Sequence, residues 1–185
     1  MNPLFDDKKI HADYDPVVRM LLGVRLDSRA DINSEGSLAR PVLHTAAAEG
    51  LLALLELACD HRRAQVDLFS AGVTPLHRAC TRGHATVVHA LLKRGASANL
   101  KTTPDGDSSL HLASKLGSVE CVRIVVTEGR ADVFATNGEG RTALHIACKK
   151  GNVSIVQFLV THVSSADYLD FKTLAGNTGQ YHTLF

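Results

Sequence analysis

The chain has 185 residues, enough to bury a sizeable core within one domain. Hydrophobic residues make up 45% of it and charged residues 21%, a composition that excludes a chain disordered throughout. Twenty Lys and Arg against nineteen Asp and Glu leave a formal charge of +1, so no global field gathers nucleic acid or anionic lipid, and any electrostatic preference has to be local.

Aromatic residues are 5% of the chain and Trp is absent. The interleaving of rings and cations on which bases stack is therefore missing, and nucleic acid is not expected as a partner. The longest nearly apolar stretches, Gly50 to Cys59 and Val87 to Leu92, fall well short of the roughly 20 residues of a bilayer-spanning helix, and no membrane partner is expected. The N-terminus carries Asp6 and Asp7 where a secretion signal would have a basic run and an apolar core. The expected compartment is the cytoplasm, with the nucleus as alternative. Cys59, Cys80, Cys121 and Cys148 are widely spaced without a C-x-x-C pair, which predicts reduced, mostly buried thiols rather than a disulfide framework or zinc ribbon.

In chain order, residues 1–33 contain Asp15-Pro16 followed by Val17, Val18, Met20, Leu21 and Leu22, apolar at helical spacing, and then Ala30-Asp31-Ile32-Asn33. The chain next repeats itself. Pro41-Val42-Leu43-His44-Thr45-Ala46, Thr74-Pro75-Leu76-His77-Arg78-Ala79, Ser108-Ser109-Leu110-His111-Leu112-Ala113 and Thr142-Ala143-Leu144-His145-Ile146-Ala147 share one pattern, and their histidines recur after 33, 34 and 34 residues. Each histidine is followed at a fixed interval by a glycine: Gly50, Gly83, Gly117 and Gly151. Two independent markers in one register delimit segments 34–72, 73–106, 107–140 and 141–175. Residues 176–185 begin like a further unit and stop.

Within a unit, Thr74 or Thr142 can cap a helix with its hydroxyl, and Pro75 sits at the first helical position, where its missing N–H costs nothing. Leu76, Ala79 and Cys80 make a small apolar face, and Gly83 ends the helix. A second, antiparallel helix follows from the spacing of Val87, Val88, Leu91 and Leu92, of Val119, Val122, Val125 and Val126, and of Val153, Ile155, Val156, Phe158, Leu159 and Val160. Gly95-Ala96 and Gly129 close second helices, and the runs 102–106 and 136–140 have turn chemistry that predicts projecting hairpins.

These residues closely resemble the ankyrin repeat family, whose unit of 33 residues carries T-P-L-H-x-A. The resemblance covers about residues 40 to 175. It implies an all-α fold: an ankyrin-repeat solenoid of stacked helix-turn-helix units with projecting β-hairpin loops, forming a single domain over 1–185. In that reading 1–33 is a degenerate N-terminal cap and 176–185 a truncated C-terminal cap. One unit cannot hide its apolar face alone, so stability has to come from stacking.

Ten histidines invite a metal hypothesis. Equivalent positions in adjacent units lie about 8–10 Å apart, whereas ligands of one zinc each lie about 2 Å from it, so His44, His77, His111 and His145 cannot share an ion. The resemblance implies instead that they bond backbone and Thr groups of neighbouring units. No G-x-S-x-G elbow or H-E-x-x-H motif is present. Gly138-Glu139-Gly140 lacks the third glycine and the preceding strand of a phosphate loop. No catalytic, metal or cofactor site is expected.

What the resemblance implies is a protein partner lying against a concave groove of first helices and hairpin tips. The two residues before each turn glycine then face it: Ala48 and Glu49, Thr81 and Arg82, Lys115 and Leu116, Lys149 and Lys150. Hairpin-side candidates are Arg40, Ser70, Val73, Asp105, Asp107, Glu139 and Arg141. The first-helix set is acidic in the first repeat and basic in the others, with Leu116 as an apolar anchor, which predicts a monomer binding a partner with acidic residues facing repeats two to four. The alternative is the targeting region of a larger enzyme, such as an acyltransferase, kinase or ubiquitin-ligase subunit.

Overall fold

The computed structural model describes residue 33, residues 41–60 and residues 64–162. The two proposed caps, Asn33 apart, and Arg40 lie outside the described residues. Eight helices are described and no strand: α1 (Val42–Glu49), α2 (Leu52–Cys59), α3 (Pro75–Arg82), α4 (Ala85–Lys93), α5 (Ser109–Leu116), α6 (Val119–Thr127), α7 (Ala143–Lys150) and α8 (Val153–His162). They pair as α1/α2, α3/α4, α5/α6 and α7/α8. The first helices pack in the row α1, α3, α5, α7, and the second helices in the row α2, α4, α6, α8. Between the pairs, hairpin loops narrow to single antiparallel bridges, Ser70 to Val73 and Lys101 to Ser108.

The core lies between the two rows. Leu76, Leu110, Val88, Val122, Leu91 and Val125 are completely buried in it, with Ala46, Ala79, Ala113 and Ala147 where first helices approach. Truncating one such Leu costs about 2–5 kcal/mol, against about 1 kcal/mol for a lost N-cap. Stacking therefore outweighs helix-end chemistry, which explains how helices of eight to ten residues persist.

The first helices start where the T-P-L-H pattern places them, and the histidine ring completes the cap. Thr74 Oγ1 accepts from the His77 backbone N–H, and the Thr74 backbone N–H donates to His77 Nδ1 at 3.1 Å. The Ser108 and Thr142 backbone N–H groups donate likewise to His111 and His145. Because Nδ1 accepts, the proton sits on Nε2. That atom reaches the following hairpin: His44 Nε2 to Val73 C=O (3.0 Å), His77 to Leu100 C=O (2.9 Å) and His111 to Arg141 C=O (2.9 Å). Each imidazole thus ties its own helix start to the following hairpin. The turn after each first helix closes on a left-handed glycine, as at Gly83 with φ 78°. Further bonds run between repeats here: His84 Nε2 donates to Ala48 C=O (3.1 Å), and Asn152 Nδ2 to Ser114 C=O (3.2 Å).

The hairpins also bond to one another. The Thr103 N–H donates to Gly72 C=O (2.9 Å), and the Gly138 N–H to Asp105 C=O (2.8 Å). Lys101 Nζ donates to Thr136 C=O. Below the tips, Asn137 Nδ2 donates to Asp107 Oδ1 at 2.8 Å, while Asn137 Oδ1 accepts the N–H groups of Glu139 and Arg141. A Cβ on Gly138 would stand 2.8 Å from Asp105 C=O, whereas one on Gly140 would meet nothing.

Two predictions follow from this architecture. Burial, the largest cause, pushes the pKa of His77, His111 and His145 below the ordinary 6.5. The unfolded chain then takes up protons more readily, so the stability these rings contribute is complete above pH 6.5 and is lost as the pH falls through and below that value. Denaturant titrations from pH 7.5 to 5 should show that decline. A His111→Leu variant should be less stable at neutral pH, because the Ser108 N–H and Arg141 C=O lose their partner, and should show a shallower pH dependence. Second, Gly138→Ala should destabilise by about 1–3 kcal/mol through its clash with Asp105, and Gly140→Ala by about 1 kcal/mol through its positive φ alone; calorimetric melting of both variants would measure the difference.

Candidate interaction surface

The last residue of each first helix, immediately before the turn glycine, occupies an equivalent place in every repeat. Glu49, Arg82, Leu116 and Lys150 form this row, and all four are exposed. Beside it run Ala48, Thr81, Lys115 and Lys149, of which Ala48 is buried and the other three exposed. Arg82, Lys115, Lys149 and Lys150 lie in the last turns of α3, α5 and α7. A cation there complements the helix dipole, worth about 0.3–1 kcal/mol, so part of this charge has a use within the fold. Lys115 Nζ also lies 3.9 Å from Asp107 Oδ2. Arg82, Lys149 and Lys150 form no ion pair among the described residues.

The hairpin-side candidates separate. Asp105 is exposed. Glu139 is exposed and ion-paired with half-buried Arg141, whose carbonyl is engaged by His111. Asp107 corrects the expectation of a contact residue at a hairpin tip. It is only 3% exposed, and its carboxylate accepts from Asn137 while its N–H donates to Thr102 Oγ1. It joins two hairpins from inside. Ser70 is likewise buried, and Val73 half-buried.

Sequence reasoning missed two features. Phe69, just before the first hairpin bridge, is 45% exposed, with its ring centroid 6.5 Å from that of His77. One helical turn before the exposed row stand Thr45, Arg78, Leu112 and Ile146, on the same helix faces. The x of T-P-L-H-x-A marks these positions, and i, i+4 spacing from the row would have found them.

The four thiols are free. Cys80 and Cys121 are buried as expected, whereas Cys59 and Cys148 are only half-buried. Cys148 is equivalent to Cys80 and Ser114, which lie between repeats, but belongs to the last described pair. Burial pushes all four thiol pKa values up, most strongly at Cys80, which keeps the thiols protonated and weakly nucleophilic. Among the described residues no group of three or more His, Cys, Asp or Glu is placed to hold a metal ion, and no helix is long and apolar enough to cross a membrane.

No curated protein matches the chain. A family model described as ankyrin repeats (3 copies) matches residues 10–102 and 94–170, an extent that includes all eight helices, the histidine bridges and the turn glycines. The chain belongs to the ankyrin repeat family.

Proposed function

We propose that the protein is a non-enzymatic interaction module that holds a partner protein against the concave side of its first helices, through acidic residues facing repeats two to four. Family membership supports the general part, since ankyrin repeats usually serve as protein–protein interaction modules and are typically non-catalytic. The observation that carries the specific part is the set of exposed cations Arg82, Lys149 and Lys150, which have no ion-pair partner among the described residues although other exposed charges do.

The mechanism is complementarity on a preformed surface. Histidine bridges and bonded hairpin tips hold the row in place before contact, so little ordering entropy is lost on binding. Cations on such a surface steer an acidic partner and raise its association rate, an effect that weakens with salt.

The test is charge reversal at Arg82, Lys149 and Lys150, singly and together, followed by capture of partners from cell extract at low and physiological salt. The triple variant should lose at least about tenfold in capture, equivalent to about 1.4 kcal/mol, while still melting cooperatively at a somewhat lower temperature, because acidic groups at helix C-termini oppose the dipole. Capture that is undiminished and insensitive to salt would reject the basic surface.

A further inference from the structure

The row at the ends of the first helices reads Glu49, Arg82, Leu116, Lys150: anion, cation, apolar, cation. Leu116 interrupts the charge and is 49% exposed. It also packs against the fold. Its Cδ2 lies 2.9 Å from where a Cβ on Gly83 would stand, so the side chain lies over the preceding turn, beside Arg82. Leu112, one helical turn earlier on the same face of α5, is half-buried. The third repeat therefore offers an apolar strip with a cationic position on either side.

Spacing determines what can read this row. Packed helices lie about 8–10 Å apart. A polyproline II chain rises about 3.1 Å per residue with three residues per turn, so every third side chain points the same way about 9.3 Å further on. The two periods agree. An α-helical ligand would need seven residues per step and is about 10–12 Å across. It would have to seat on Arg78, Leu112 and Ile146 as well, which are half-buried or buried, whereas the exposed side chains, this row with Thr81, Lys115 and Lys149 beside it, lie only at the last two positions of the helices.

We propose that Arg82, Leu116 and Lys150 bind an extended protein segment whose acidic, apolar and acidic side chains follow one another at three-residue steps, with a basic residue at the next step opposite Glu49. This rests on the basic-surface reading above and adds the register and the apolar residue to it. Charge complementarity at three of the four positions and the exposed leucine at the other name the occupant. A polyproline II segment presents the same four groups in either chain direction when their order along it is reversed.

The experiment uses the 185-residue chain and labelled synthetic peptides with Pro and Gln as spacers, measured by fluorescence anisotropy. The matched peptide carries Lys, Glu, Leu and Glu at three-residue steps and is made in both orders. Controls have the same composition with Leu moved by one residue, the same four groups at seven-residue steps in a helix-forming background, and Gln in place of both Glu. One order of the matched peptide should bind at least tenfold more tightly than the shifted peptide, and Leu116→Gln should abolish that preference while leaving the salt dependence. Equal, salt-sensitive binding of matched and shifted peptides would overturn the register while the basic surface stands. Tighter binding of the seven-step peptide would overturn the extended conformation. If neither acidic peptide exceeds the Gln control, the basic surface falls with it.

Discussion

The interaction on which the rest depends is the imidazole bridge between one helix start and the next hairpin. The ring accepts from its own cap residue through Nδ1 and donates to a carbonyl of the following hairpin through Nε2, so His77 and His111 use both nitrogens within the core. Only a neutral ring in a single tautomer does this, and burial disfavours the cation. The hydrophobic stack supplies more free energy than these bonds, but apolar contact is non-directional. The bridges therefore determine how one repeat is oriented on the next. The first repeat is the variation: Pro41 stands at the cap with no side-chain hydroxyl, and His44 keeps the bond to Val73.

Most of this architecture was legible in the sequence because it is carried by strict local chemistry. Thr74 and Thr142 cap, Pro75 starts a helix, Gly83 ends one, and the spacing of Val88, Leu91, Val122 and Val125 marks the buried side of the second helices. The surface was less legible for an equally physical reason. In a hairpin, sequence position does not say which residue points outward. Asp107 adjoins the polar turn 102–106 and reads as a tip residue, yet it turns inward because Asn137, in the next hairpin, offers a donor at 2.8 Å. Such a pairing between hairpins has no signature in either turn alone. Phe69 is the converse, an aromatic left half-exposed at a place that turn chemistry leaves unmarked.

Leu116 shows both kinds of legibility together. Its place before the turn glycine identified it as a surface residue, and the choice was between local packing and a partner. The structure shows the packing and leaves the rest of the side chain exposed: one side covers the Gly83 turn and the remainder is open. At the repeat junctions on either side, His84 and Asn152 cover Gly50 and Gly117 and bond the preceding helix end. At the middle junction Leu116 takes much of that covering role from an apolar side chain, and an exposed leucine is the consequence.

That consequence bears on specificity more than affinity. At physiological ionic strength the screening length is about 8 Å, close to the spacing of about 8–10 Å between packed helices. Each exposed cation therefore acts largely for itself, and a row of cations alone would accept acidic residues in many registers with similar energy. A leucine in that row breaks the degeneracy, because an acidic side chain placed over it loses hydration without gaining a partner. In the proposed complex the residue that contributes least charge would thus be the one that discriminates among registers, and Glu49 at the end of the row would act in the same sense by repelling an acidic side chain that slides one repeat too far.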